Sequence, residues 1–508
     1  MKKVKAASRI LVFFVLLACL LSGLNQLMLH KEGFTTLKPF LDHPQEYDVL
    51  FIGDSLVRAG IFPMELYHKY GIASYNLSSA NCRVPMGYWR MMNAFDYVKP
   101  KLVAYSVVDV EYPKLTADTG ERLHQAFDGF PMTLTKVRTI MDLLDQEGAD
   151  RNGVLFSDIR TELFFPLMKY HSRWSSLTEE DFHPPYSKQK GAVPIIDTMD
   201  PDVKSGLVGL DECVPEEGYG FVYLRKIIEE CQRREIPLVL YVPPYAIRPE
   251  AHKGTHTAAK IAEEYGLTLL NFIDTDRVVD SYVDYGDLGG HLNPSGAYKL
   301  TDYLGRYLTD HYDLPDRRND PAYVHWDEEW NAYIDEKLRV IDECTDSLRT
   351  KLMLLHDESL NIVMTIRPGF DYDQYQIKNA LQNIGREHAF ENDELISAEL
   401  KPLEGLSDAA DFNKGYMFIV DRDANDEFNT IHEFYGIGEQ EFETSFGYVF
   451  CRMDGEWIDL SITQDDTETY YFDNWDDQDQ DMRLILIDRR TGKPALTMAF
   501  SSTDEKQP

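Results

Sequence analysis

Apolar positions in the first three hundred residues fall into short unbroken runs separated by stretches of helical spacing. Residues 47–52 (Tyr-Asp-Val-Leu-Phe-Ile) read as a buried strand that ends in Gly53-Asp54-Ser55. Helical character follows, then a strand-like piece at 72–77 and a helix over 88–98. After Pro100 comes an apolar stretch at 102–110. The rhythm resumes with a helix over Tyr219–Arg234, where Phe221, Leu224, Ile227, Ile228 and Cys231 share one face. A strand at 236–242 closed by Pro243-Pro244, a helix over 256–265, a strand at 267–272 and a helix over 298–308 complete it. Apolar β-type runs alternating with helices predict parallel βαβ units. Residues 115–215 break the pattern with scattered Pro, Gly and charge, and read as a long irregular insertion outside the sheet.

Residues 315–321 form a polar, proline-bounded connector. Beyond it Trp326, Trp330, Ile334, Leu338 and Ile341 make one stripe of a long amphipathic helix. Such a stripe normally packs on a neighbouring domain rather than on a ligand. Short β-rich runs follow at 360–366, 416–420, 431–435, 448–452, 457–462, 484–487 and 495–500. Asp454-Gly455 and Thr491-Gly492 between them are hairpin signals, so a second, β-rich domain is expected.

At the N-terminus, Lys2, Lys3, Lys5 and Arg9 precede an apolar run over 10–21 that stays mostly apolar to Leu29. A stretch of about twenty such residues suits a membrane-spanning helix, with the basic flank cytoplasmic and the remainder outside. A cleaved signal peptide lacks a clear small-x-small site here, and Leu16-Leu17-Ala18-Cys19 only faintly resembles a lipoprotein box. The reading is an anchor over 1–30, an α/β domain over 45–314 and an accessory domain over 322–508. The formal net charge of −35 argues against nucleic acid and against docking on anionic lipid. It is compatible with a cell-surface protein that handles neutral sugars or cationic groups. Of six cysteines, Cys19 lies in the anchor and five lie outside it with no C-x-x-C, which indicates no disulfide framework and no zinc site. Buried thiols or a Cys213–Cys231 bridge are the alternatives.

Two loops carry candidate chemistry. Ser55 follows a strand and a glycine, so its hydroxyl should stand above the carboxyl edge of a parallel sheet, where ligands bind in open α/β folds. A serine hydroxyl is a poor nucleophile until a base takes its proton. His291 sits in Asp287-Leu288-Gly289-Gly290-His291-Leu292-Asn293-Pro294-Ser295-Gly296, a small, polar loop suited to presenting a base. An upstream Asp would fix its tautomer. Arg58, one turn past Ser55, is either a ligand for a carboxylate or phosphate or, more commonly, half of a surface ion pair. His171 and Arg173 carry the same two readings as cleft-lining residues. The acidic run over 465–481 lacks the spacing of a calcium loop.

Together these motifs resemble the SGNH/GDSL hydrolase superfamily. Tyr75-Asn76-Leu77 and the stretch from Phe165 through Trp174 extend the likeness toward anchored proteins of surface-polysaccharide O-acylation, similar to the D-alanyl transfer and alginate acetylation proteins. The resemblance covers about residues 45–310. It implies a flavodoxin-like three-layer α/β/α fold with a parallel sheet, and Ser55 and His291 as catalytic residues. In that family the acid lies three residues before the histidine, where this chain has Leu288. Asp287 lies four before and Asp284 seven before, and Asp287 is taken as the acid. The family's oxyanion donors are a Gly after the second strand and an Asn after the third, where this chain has Ser78-Ser79-Ala80-Asn81 and Val108-Asp109-Val110-Glu111. A carboxylate at Asp109 would repel a developing oxyanion. Backbone N–H groups of Ser55 and Ala80, or the Asn81 amide, are the substitutes. The resemblance implies an extracytoplasmic esterase or O-acyltransferase without cofactor, acting on acyl esters of a surface glycan beside a membrane-bound O-acyltransferase. The alternative is a non-catalytic binding or assembly protein of a polysaccharide machine.

Overall fold

The computed structural model describes residues 2–29, 31–183, 188–196, 212–273, 279, 284–287, 290–343, 357–367, 387–391, 394–398, 415–423, 430–454, 457–464, 468–472 and 481–500. The chain divides into two compact units, one of Met1–Val193, Ser205–Asp274 and His311–Asp320, the other of Pro194–Lys204, Thr275–Asp310 and Pro321–Pro508.

The first unit is built on five parallel strands, β1 (Val49–Ile52), β2 (Ser74–Asn76), β3 (Leu102–Ser106), β4 (Leu238–Val242) and β5 (Leu269–Asn271). Every residue of β1 to β4 is buried, which is why they read as continuous apolar runs rather than alternating ones. Their order, β2-β1-β3-β4-β5, is doubly wound: the chain leaves β1 toward one edge, then returns to build toward the other. The carboxyl ends of β1 and β3 therefore flank the point where winding reverses.

The helices of this unit are α1 (Lys2–Met28), α2 (Lys31–Asp42), α3 (Ser55–Gly60), α4 (Pro63–Tyr70), α5 (Val84–Ala94), α6 (Gly120–Phe127), α7 (Leu134–Leu143), α8 (Phe156–Phe164), α9 (Leu167–Tyr170), α10 (Glu179–Phe182), α11 (Tyr219–Arg234) and α12 (Pro249–Glu264). Within α1, Arg9–Met28 is long and apolar enough to cross a membrane. The stretch expected to be irregular holds α6 to α10, whose Leu123, Phe127, Ile140, Leu143, Ile159 and Leu163 are buried. Short helices broken every few residues by Pro and Gly leave too few turns for a periodicity to show. The polar connector has a fixed partner: Arg317 forks onto the buried Asp48 at the foot of β1, Nε to Oδ2 at 2.7 Å and Nη2 to Oδ1 at 3.0 Å.

The second unit opens with a hairpin of β6 (Tyr285–Gly286) and β7 (His291–Leu292), then α13 (Pro294–His311) and α14 (Val324–Glu343). Its β region comprises β8 (Leu360–Ile366), β9 (Glu387–Glu391), β10 (Glu394–Ala398), β11 (Gly415–Asp421), β12 (Thr430–Gly436), β13 (Gly438–Thr444), β14 (Gly447–Asp454), β15 (Trp457–Gln464), β16 (Glu468–Tyr471), β17 (Met482–Asp488) and β18 (Lys493–Phe500). An antiparallel sheet β12-β11-β8-β17-β18 is central. One face of it, with Ile362, Met364, Phe418 and Leu486, packs with Ile341 of α14. The other face, with Val363, Ile419 and Ile485, packs on Val449, Cys451, Leu460 and Ile462 of the sheet β13-β14-β15-β16. β14 and β15 have only one buried face and alternate, as sandwich strands do. The cysteines at 19, 82, 213, 231 and 451 are free thiols, so the Cys213–Cys231 bridge does not form.

Candidate active site

The Ser55 turn is dictated by crowding. A Cβ on Gly53 would stand 2.5 Å from Val57 Cγ2 and 2.8 Å from Ser106 Cβ, so only glycine lets β1 and β3 run this close. Asp54 is the N-cap of α3, its Oδ1 accepting the Leu56 N–H at 3.0 Å. Its carboxylate is thereby assigned to the helix, and Ser55 becomes the first helical residue, half-buried at the carboxyl end of β1. Asn76 on β2 ties that helix to the sheet, donating its amide to Val57 O at 2.7 Å and Ile61 O at 3.0 Å.

The loop after β2 is held from beneath by Arg90, which donates to Leu77 O at 3.0 Å, Ser78 O at 3.3 Å and Ala126 O. Burial pulls this guanidinium down to about 10. Ser79 N–H reaches Gly53 O at 3.2 Å, so the loop passes beside the serine turn. Beyond it Asn81 has φ of 52°, and after β3 Asp109 has φ of 50°. Left-handed backbone is tolerated by Asn and Asp, and non-glycine residues in it gather at functional loops. Among the described residues, the backbone N–H groups of Ala80 and Asn81 and the Asn81 amide make no hydrogen bond.

Asp109 differs from its expected role as a bare repelling charge. Its carboxylate is bonded to Arg83 and to Arg248 Nη2 at 3.1 Å. Arg83 stacks 3.8 Å over the Tyr112 ring, and Arg248 also reaches Glu111 at 3.2 Å. Burial, then the Asp109 charge, raises the Glu111 carboxyl above its usual range. Arg83 also lies 3.9 Å from Asp118, itself 3.6 Å from Lys114, so three cations face three acids at this loop. Sequence reading missed this cluster because Arg83 and Arg248 are far apart in the chain; a cation just beyond each strand end is the only trace.

Four hydroxyls line the same carboxyl edge without a partner among the described residues: those of Ser79, Ser106, Tyr241 and Tyr245, all with buried oxygens. Ser106 and Tyr241 are register neighbours on β3 and β4. Burial, with the Asp54 charge contributing, pushes both tyrosine hydroxyls well up. Leaving a buried hydroxyl unpaired costs on the order of 1 kcal/mol or more.

In the second unit, the hairpin pairs Gly286 with His291. His291 Nδ1 lies 2.6 Å from Asp287 Oδ2, and Asp287 has φ of 35°. Asp284 is fully buried and otherwise engaged, with Ser295 Oγ and Lys299 Nζ each at 2.6 Å. It anchors the first turn of α13, and the carboxylate on the imidazole is Asp287. A ring held through Nδ1 by a carboxylate presents Nε2 as its basic nitrogen. Ser55, Asn81 and Asp109 belong to the first unit, His291 and Asp287 to the second.

The remaining candidates are placed otherwise. Arg58 is half-buried on α3, and its carbonyl accepts the Val193 N–H at 2.8 Å. Arg173 donates to Met28 O at 2.8 Å and Leu29 O at 2.6 Å and pairs with Asp181, while His171 is exposed on Met168 O at 2.8 Å. Most of the acidic run over 465–481 lies outside the described residues; its last member, Asp481, pairs with Arg367. Among the described residues no cluster of His, Cys, Asp and Glu could hold a metal ion. No protein-family model matches this chain, and no curated protein matches it.

Proposed function

We propose that this protein is a membrane-anchored, extracytoplasmic serine esterase or O-acyltransferase of SGNH type, with a flavodoxin-like catalytic domain, acting on acyl esters of a surface or exported polysaccharide. The observation that carries the proposal is the position of Ser55 at the reversal point of a doubly wound parallel sheet. The Asp287–His291 hydrogen bond within the second unit supports the reading of His291 as the base and Asp287 as its acid.

In this reading His291 Nε2 takes the Ser55 proton as Oγ bonds to the acyl carbon. The carbonyl π electrons move to oxygen, and the oxyanion is met by N–H groups of Ala80 and Asn81 and the Asn81 amide. Collapse breaks the ester bond, and the leaving oxygen takes the proton from His291. Water or a sugar hydroxyl then gives its proton to His291 and attacks the acyl-serine, which restores Ser55 and releases an acid or a new ester. Arg83 and Arg248 keep Asp109 from opposing the oxyanion. The α1 helix, with its basic flank inside, holds the site near a membrane-bound O-acyltransferase that would deliver acyl groups.

Full-length protein in detergent tests this with a fluorophosphonate probe. Label should map to Ser55, disappear in Ser55→Ala and fall at least tenfold in His291→Ala; folded protein that takes no label at Ser55 contradicts the reading.

A second reading rests on the β13-β14-β15-β16 sheet, where Tyr448, the cross-strand partner of Glu443, is 52% exposed and Tyr471 of β16 is 74% exposed. Exposed rings with neighbouring carboxylates suit sugar binding, so the protein would be a non-catalytic polysaccharide-assembly factor. In that case Tyr448→Ala with Tyr471→Ala abolishes polysaccharide modification and Ser55→Ala leaves it intact.

A further inference from the structure

The stretch over 165–182 has its structural partner at the end of α1. Arg173 donates to the carbonyls of Met28 and Leu29, the last of the membrane-length helix and the residue after it. Those are groups a helix C-terminus leaves unsatisfied, and a cation there also meets the negative end of the helix dipole. Asp181 holds the other edge of the guanidinium at 2.7 Å and completes the cap of α10 with Thr178. Met28, Leu29 and Tyr170 close into one apolar cluster, with Leu167 and Leu177 packed on it. The segment is thus bolted to the end of α1 by apolar and polar contacts together.

Its other side chains point to solvent. Phe165 is 63% exposed, Met168 57%, Trp174 71% and Phe182 58%. Single exposed apolar residues are ordinary, but four large ones within eighteen residues that also bury Tyr170 and pack Leu167 and Leu177 on it are not. The apolar stretch Arg9–Met28 rises about 30 Å at 1.5 Å per residue, the thickness of a hydrocarbon core. Arg173 grips the chain where that stretch ends, so these side chains lie at the level where α1 leaves the bilayer. Trp and Phe side chains are favoured at that depth. Charge is not what recognises the surface: Lys169 is paired with Glu121 at 2.9 Å and Arg173 with Asp181, and the chain as a whole carries −35.

We propose that the α9–α10 segment is a second membrane contact, with Phe165, Met168, Trp174 and Phe182 inserted into the interface of the leaflet from which α1 emerges, by apolar contact and without need of anionic lipid. It rests on α1 spanning the bilayer, and it makes the anchor a fixed mount for the first unit rather than a free tether.

The test uses the full chain reconstituted in neutral phosphatidylcholine vesicles whose acyl chains are brominated near the headgroup. Quenching of tryptophan fluorescence is compared between the natural protein and Trp174→Phe, an exposed and conservative change. Natural protein should be quenched, Trp174→Phe should lose at least half of that quenching, and one-fifth anionic lipid should change neither. Quenching that is absent, or equal in Trp174→Phe, overturns the proposal, as would a surface covered by another protein. An alkaline carbonate wash separates the failures. Protein that stays with the vesicles yet is unquenched refutes the contact and leaves the anchor standing; protein that washes off refutes both.

Discussion

Two carboxylates precede His291, and the chain treats them differently. Asp287 is 44% exposed at its side chain and holds the imidazole, whereas Asp284 is fully buried between Ser295 and Lys299. Asp287→Asn should leave folding intact and lower acyl transfer by roughly ten- to a hundredfold, because an amide no longer stabilises the imidazolium and solvent already screens an exposed acid. Asp284→Asn should instead lower stability by about 3 kcal/mol, since Lys299 loses its counter-charge in a buried place. Thermal melts and single-turnover acyl transfer on both variants distinguish the roles; reversed phenotypes would reassign the acid. Asp109 teaches the same lesson in another form. Sequence reading treats a carboxylate as a bare charge, while its effect depends on Arg83 and Arg248, brought in from separate loops.

At the scale of elements, the buried faces explain which patterns were readable. β8, β11 and β17 are covered on both sides and form continuous apolar runs, while β14 and β15 alternate. The helices over 120–182 were not readable, partly because their interior includes polar groups. Lys136 of α7 is buried against Phe130 O at 2.6 Å, and burial pulls its amine down to about 8. The unfolded chain then holds this proton more tightly than the folded one, so between about pH 8 and the ordinary lysine value of 10.5 folding stability from this group rises with pH. The full span is on the order of 3 kcal/mol. Urea unfolding of the natural protein and Lys136→Met from pH 7 to 10.5 checks this. The natural protein should gain relative to the variant as pH rises; a constant difference would show that Lys136 keeps its charge through that range. In the second unit Ile485, buried in the sandwich interior, should cost about 2–5 kcal/mol when truncated to Ala, read as a lower urea midpoint.

For the whole molecule, the proposed orientation puts everything beyond α1 outside the membrane. A membrane-impermeant fluorophosphonate applied to intact cells should therefore label Ser55 as fully as it does lysed cells; labelling that needs lysis would reverse the topology. Much of this plan follows from local patterns that survive without tertiary context. The apolar span, the βαβ rhythm, the β-rich second half and the strand-end turn of Ser55 all arise from burial periodicity and glycine punctuation, which short stretches of chain express by themselves. The order of the strands depends on which runs find each other across long separations, and so does the choice of Asp287 over Asp284. The charge balance around Asp109 and the grip of Arg173 on the end of α1 are likewise long-range. Hydrogen bonds and ion pairs act over a few ångströms, so residues such as 28 and 173 acquire their meaning only once folding has brought them together.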